Sequence, residues 1–184
     1  MNKQLFKSLD NSKLGWACMS PIMEPLRGKD PILKSQVYSE LTPSQQDLFM
    51  FYAYYNHAKH SLAEYYWWTA YYLAQPKIWT EIKLRLRNFG DENIVGLLEE
   101  TEEVLQKWSH PRSMESFDVS VNDLENDSLL RESLSPLYSH FQKITPFTLN
   151  QIGIYIRKHP EEFILVETQQ QIKENVTNSD YPSS

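Results

Sequence analysis

Cysteine is nearly absent from this sequence. Cys18 stands alone among 184 residues, so no disulfide can form within the chain and no thiolate cluster can hold zinc. Glycine is scarce, at five, which leaves few places for a Gly-rich loop that cradles phosphate. No run of about 18 apolar residues free of charge occurs, so nothing reads as a membrane span. Positive charge is not in excess either: 18 basic against 24 acidic residues give a formal net charge of -6. That balance argues against direct nucleic-acid binding, because phosphate recognition needs a cationic surface. The segment from Met1 to Gly15 carries Lys3, Lys7, Asp10 and Lys13 and lacks the apolar stretch of a secretory signal. A cytoplasmic protein is the default reading. Gly-x-Ser-x-Gly, His-Glu-x-x-His and Walker patterns are missing too, so spacing gives no reason to expect an enzyme or a cofactor.

What is present points to helices. At 41% hydrophobic and 23% charged, the chain has enough apolar material for one cored domain. Residues 1–40 read as irregular or short-helical, because Pro21, Pro25, Gly28 and Pro31 interrupt them. Thr42-Pro43 with Gln45 forms a capping box with proline at the first helical position. No proline follows until Pro76, which predicts one helix from Pro43 to about Gln75, about 50 Å long. Eleven of the chain's aromatic residues fall between Phe49 and Tyr72, so this helix is expected to cross the centre of a bundle. Ile78, Ile82, Leu86 and Phe89 mark a second helix, stopped by Gly90. Ile94, Leu97, Leu98, Thr101, Val104, Leu105 and Trp108 mark a third, ended by His110-Pro111. Residues 109–122 read as a polar loop. Asp123 or Asn126 caps the next helix, with Pro136 as a kink. Thr145-Pro146 starts another, and His159-Pro160 a last one. The expected architecture is an all-α, single-domain bundle of five or six helices over residues 1–168, with a disordered tail over 169–184.

Two clusters carry chemical possibilities. On the aromatic helix, His57, His60 and Glu64 fall at i, i+3, i+7 on one stripe beside Trp67, Trp68 and Tyr71. Two imidazoles and a carboxylate suit zinc, iron or nickel. The same residues serve equally as hydrogen-bond partners for buried Tyr and Trp, and the pattern favours that role. The second cluster is electrostatic. Residues 91–132 carry a net charge of -9, against +4 over 1–90 and -1 over 133–184. Glu92, Glu99 and Glu103 share the face opposite the apolar stripe of their helix, and the following segment adds Glu115, Asp118 and Asp123. Such a surface attracts a basic protein partner. The reading is a non-enzymatic interaction module, with a small-ligand or metal-binding bundle as the alternative.

Three stretches also resemble a family of small acidic helical bacterial proteins that includes a DNA mimic. They are Lys59-His60-Ser61-Leu62-Ala63-Glu64-Tyr65-Tyr66-Trp67-Trp68, then Leu86-Arg87-Asn88-Phe89-Gly90 leading into Leu97-Leu98, and Tyr155-Ile156-Arg157-Lys158-His159-Pro160-Glu161-Glu162-Phe163. Together they span about residues 40–165. The family's Gly-Gly pair is Ser61-Leu62 here, so the helix is expected to continue through it. The resemblance implies an all-helical fold and a protein-binding role, and it carries over no catalytic residue.

Overall fold

A computed structural model describes residues 3–163. Every regular element in that span is helical: α1 (Lys3–Ser8), α2 (Asn11–Met23), α3 (Pro31–Glu40), α4 (Pro43–Ala58), α5 (Leu62–Leu73), α6 (Pro76–Asn88), α7 (Glu92–Lys107), α8 (Asp123–Asn126), α9 (Ser128–Lys158) and α10 (Pro160–Phe163). Short 3-10 turns occur at Glu24–Leu26 and Met114–Ser116. The all-helical expectation holds, but the described residues form ten helices rather than five or six. The tail expected over 169–184 lies outside the described residues.

The long helix expected over 43–75 is two helices. Its start is as predicted, with the Thr42 hydroxyl accepting from the Gln45 N–H and the Gln45 side chain accepting from the Thr42 N–H. It ends at Ala58, and Ser61 begins α5 by accepting the Glu64 N–H on its hydroxyl at 3.1 Å. Ser61-Leu62-Ala63-Glu64 is itself a Ser-x-x-Glu start signal, hidden inside an aromatic run with no proline. The break turns α5 back along α4. Tyr72 donates to the Ala53 carbonyl, Tyr54 meets the Thr69 hydroxyl at 2.8 Å, and the His57 and Trp68 rings stack at 3.8 Å. In a continuous helix residues 57 and 68 would lie roughly 16 Å apart along the axis. Folding back lets both faces of the aromatic run be used at once: Phe51, Tyr52, Tyr54, Tyr65 and Tyr66 are all essentially inaccessible to solvent. Removing the cap in Ser61→Ala should cost about 1 kcal/mol. Urea denaturation is the check, with a lowered midpoint at unchanged slope as the expected result.

The long helix lies elsewhere. α9 runs through 31 residues with Pro136 and Pro146 inside it, so Thr145-Pro146 is not a helix start. The Thr145 hydroxyl donates back to the Phe141 carbonyl instead of capping forward. Both prolines sit on the exposed side, as do Glu132 and Gln142, whose carbonyls lose their i+4 donor. On that side solvent can reach them, and the helix continues.

The N-terminal forty residues are more ordered than expected. α2 carries Pro21 within it and buries Leu14 and Met19 completely. It crosses α9 at two glycines. A Cβ on Gly15 would lie 2.6 Å from the Tyr52 hydroxyl and 2.8 Å from Ile152, and one on Gly153 would strike the Asn11 backbone. Arg157 ties the same crossing together, donating to the Asn11 side chain at 2.7 Å and to the carbonyls of Phe6 and Leu9. α6 and α7 are joined through Gly90 at φ 73°, the left-handed residue predicted there. They are clamped by Glu102, which accepts from Trp79 and Lys83, each at 2.7 Å, and from Arg112 at 2.8 Å.

Candidate functional site

The six acidic residues singled out above differ in their surroundings. Glu92 and Glu99 both pair with Arg87, at 3.5 and 2.8 Å, so an internal cation already answers part of their charge. Glu103 and Glu115 are exposed and appear in no ion pair among the described residues. Asp118 and Asp123 are different, because they line a cleft of about 440 Å³ open to solvent.

The cleft is built where α7 stops. Trp108 ends the helix, Ser109 takes the left-handed conformation at φ 57°, and the His110 N–H reaches back to the Leu105 carbonyl at 3.0 Å while the Ser109 N–H reaches Gln106 at 2.9 Å. This is the Schellman pairing, which satisfies the last helical carbonyls and delivers the His110 ring under the chain. Pro111 then prevents further helix. The ring contacts the Leu105 carbonyl through Nδ1 at 3.1 Å and the Tyr66 hydroxyl through Nε2 at 2.8 Å. Tyr66 comes from the buried side of α5, and its hydroxyl donates to Asp123 Oδ2 at 2.9 Å. The Ser120 N–H donates to that same oxygen, fixing the start of α8. Asp127 caps α9 by accepting the Leu130 N–H and also accepts the Trp108 indole N–H at 2.9 Å. Asp118, Val119, Asn126 and Leu130 complete the walls.

The electrostatics follow from this arrangement. Asp118, Asp123 and Asp127 line the cleft with no lysine or arginine beside them, and none of the three joins an ion pair among the described residues. Burial lowers the His110 pKa below its ordinary 6.5, against the opposing pull of the Leu105 carbonyl, Asp123 and Asp118. Burial, reinforced by the hydrogen bond to Asp123, pushes the Tyr66 phenol far above 10. Both shifts favour the uncharged forms of His110 and Tyr66 beside three carboxyl groups.

The sequence pointed to two of these residues, Asp118 and Asp123. Tyr66 was legible only as part of the aromatic run, and His110 only as a helix stop. Asp127, rather than the expected Asp123 or Asn126, caps α9, and Asp-Ser-Leu-Leu is a local signal for it, a cap before an apolar run. Nothing local announces that residues 66, 110 and 123 meet.

His57, His60 and Glu64 do not converge as metal ligands. Glu64 accepts the Trp68 indole N–H at 2.7 Å, the His57 ring lies flat on Trp68, and His60 is exposed in the turn between α4 and α5. One continuous helix is not present: His57 lies in the last turn of α4, Glu64 in the first turn of α5, and His60 in the turn between them. Among the described residues, the one trio of such side chains with ligand atoms within 4.8 Å is His159, Glu161 and Glu162, at the surface.

The fold and cleft define an all-helical protein with an acidic, aromatic-walled recess, and no described helix is long and apolar enough to cross a membrane. No family model, curated protein or solved structure matches the chain.

Proposed function

We propose that this protein is a non-enzymatic interaction module that binds a basic protein partner through an acidic surface centred on the cleft. The observation that carries the reading is the state of Asp118, Asp123 and Asp127. They share one recess and have no cation beside them among the described residues, whereas Glu92 and Glu99 are answered by Arg87. Carboxylates left without a cation of their own chain attract one from elsewhere, and the attraction is felt over about 8 to 10 Å near physiological ionic strength. Glu103 and Glu115, exposed and without an ion pair among the described residues, extend the negative field beyond the cleft. The resemblance to an acidic helical family points the same way.

The test is charge reversal. Asp118→Lys together with Glu115→Lys should slow association with a basic partner and flatten its salt dependence, because steering acts mainly on the rate of encounter. Both side chains are exposed, so thermal stability should stay nearly constant. Partners captured by affinity pulldown and re-measured by stopped-flow or surface plasmon resonance supply the readout. Unchanged association rates at low and high salt would overturn the proposal.

A further inference from the structure

Leu130, near the start of α9, lines the acidic cleft. The far end of the same helix carries a different group of ligating side chains. The helix stops at His159, because Pro160 has no N–H with which to continue it and restricts the residue before it. His159 leaves the helix at φ -127° and ψ 52°, while its N–H still reaches the Tyr155 and Ile156 carbonyls at 3.1 and 3.3 Å. The chain then turns through α10, with the Glu162 N–H donating to the His159 carbonyl at 3.2 Å. That turn sets the Glu161 and Glu162 carboxylates beside the imidazole. One ligand atom from each of the three residues lies within 4.8 Å of the other two, and His159 Nδ1 is 3.8 Å from Glu161 Oε1. The support beneath the trio is firm. Phe163 is buried, the Gln45 side-chain amide donates to the Glu162 carbonyl at 2.7 Å, and the His159 ring packs on the Tyr155 ring with centroids 4.5 Å apart. Tyr155 is itself held by a 2.8 Å hydrogen bond between its hydroxyl and that of Ser44, and by edge contacts with Phe89 and Phe163.

We propose that His159, Glu161 and Glu162 bind one divalent transition-metal ion of the zinc type at the corner between α9 and α10, independently of any partner at the cleft. An imidazole nitrogen with two carboxylates is a zinc-type donor set, whereas magnesium and calcium seek oxygen ligands alone. Around a tetrahedral ion with ligands at about 2.1 Å, neighbouring donor atoms stand about 3.4 Å apart. The His159–Glu161 pair is already close to that spacing, and rotation of the exposed Glu161 side chain closes the remainder. Among the described residues neither carboxylate pairs with a lysine or arginine, and nearby Arg157 is engaged by Asn11, Phe6 and Leu9. Two like charges held side by side repel each other, and a divalent ion between them turns that repulsion into attraction. Three protein ligands leave the fourth position to water. The ligands come from the last residue of one helix and the first turn of the next, so the ion would tie the two together.

The experiment is a titration of the full chain, first stripped of metal with a chelator, with zinc chloride. Calorimetry gives the affinity and NMR gives the place, with magnesium and calcium chloride as comparison cations. Zinc should bind as one ion per chain and shift the His159 ring signals together with the Glu161 and Glu162 amides. The two hard cations should bind about tenfold more weakly or worse, because the imidazole offers them nothing. Glu161→Gln keeps the side chain's size at an exposed position, so it should stay folded. It should lose about tenfold or more in zinc affinity, since even the outer partners of a metal ligand contribute that much. His159→Ala should abolish the zinc-induced shifts at Glu161 and Glu162. Zinc shifts centred on His57, His60, His110 or His140, with the His159 ring silent in the unaltered chain, would overturn the proposal. So would an affinity unchanged by Glu161→Gln and His159→Ala. Calcium binding as tight as zinc would overturn the zinc-type assignment, because it would mean that the carboxylates act without the imidazole.

Discussion

Glu102→Ala should be among the most destabilising single substitutions in the protein, at about 3 kcal/mol, because it strands a largely buried cation. The Glu102 and Lys83 side chains are 13% and 17% exposed. Both Glu102 oxygens are occupied, one by Lys83 and Trp79, the other by Arg112. Burial by itself would raise the Glu102 pKa, but the bonds from Lys83, Arg112 and Trp79 together pull it from 4.5 down to about 2. The sign for stability follows from that depression. The contribution is complete above the unfolded pKa near 4.5, and it is lost as pH falls through the folded value near 2. At about 1.4 kcal/mol per unit, this window accounts for roughly 3 kcal/mol, in line with the cost of truncation. Guanidinium denaturation at neutral pH and at about pH 3 measures both effects. The native chain should lose stability between the two conditions, and Glu102→Gln should lose less. An alanine variant as stable as the parent would show that the clamp between α6 and α7 contributes nothing net.

Gly153→Ala should also destabilise, by about 1–3 kcal/mol, although alanine is the better helix former by about 1 kcal/mol. The obstacle is the Asn11 backbone, which sits where the new Cβ must go. A side chain tip can swing aside, but a backbone moves only with its helix. Shifting α2 would disturb Leu14 and Met19 and the three bonds from Arg157. Gly96 is the natural control. It lies within α7 with nothing within 4 Å of its Cβ position, so Gly96→Ala should stabilise by about 0.5–1 kcal/mol. Thermal melts of the two variants should move in opposite directions. If both rise, the α2–α9 crossing is looser than this geometry requires.

The two substitutions show where local pattern carries information and where it does not. The period of apolar residues, the Thr42–Gln45 box and the Gly90 stop are local, and each is found where the sequence places it. Those signals act within one turn of chain, so reading them needs no knowledge of neighbours. The break at Ser61 is also local, a Ser-x-x-Glu start that no proline or glycine marks. The continuity of α9 was not local. Pro146 is tolerated because its side of the helix faces water, and exposure is a property of the packed molecule. The same holds for the N-terminal segment. Its prolines suggested irregular chain, but docking on α9 through Gly15 and Gly153 makes α2 part of the core.

The candidate site divides in the same way. Negative charge over residues 91–132 is a fact of composition, visible without a fold. Which of those carboxylates are answered depends on where Arg87, Lys83 and Arg112 end up, and only the tertiary structure decides it: among the described residues Glu92, Glu99 and Glu102 are paired, whereas Asp118, Asp123 and Asp127 are not. The meeting of Tyr66, His110 and Asp123 spans 57 positions of sequence. It exists because α5 folds back, α7 ends in a left-handed turn, and α8 starts beside both. Composition determined the sign of the charge and periodicity determined the helices. Packing, which pairs some charges and leaves others open to an outside partner, determined the site.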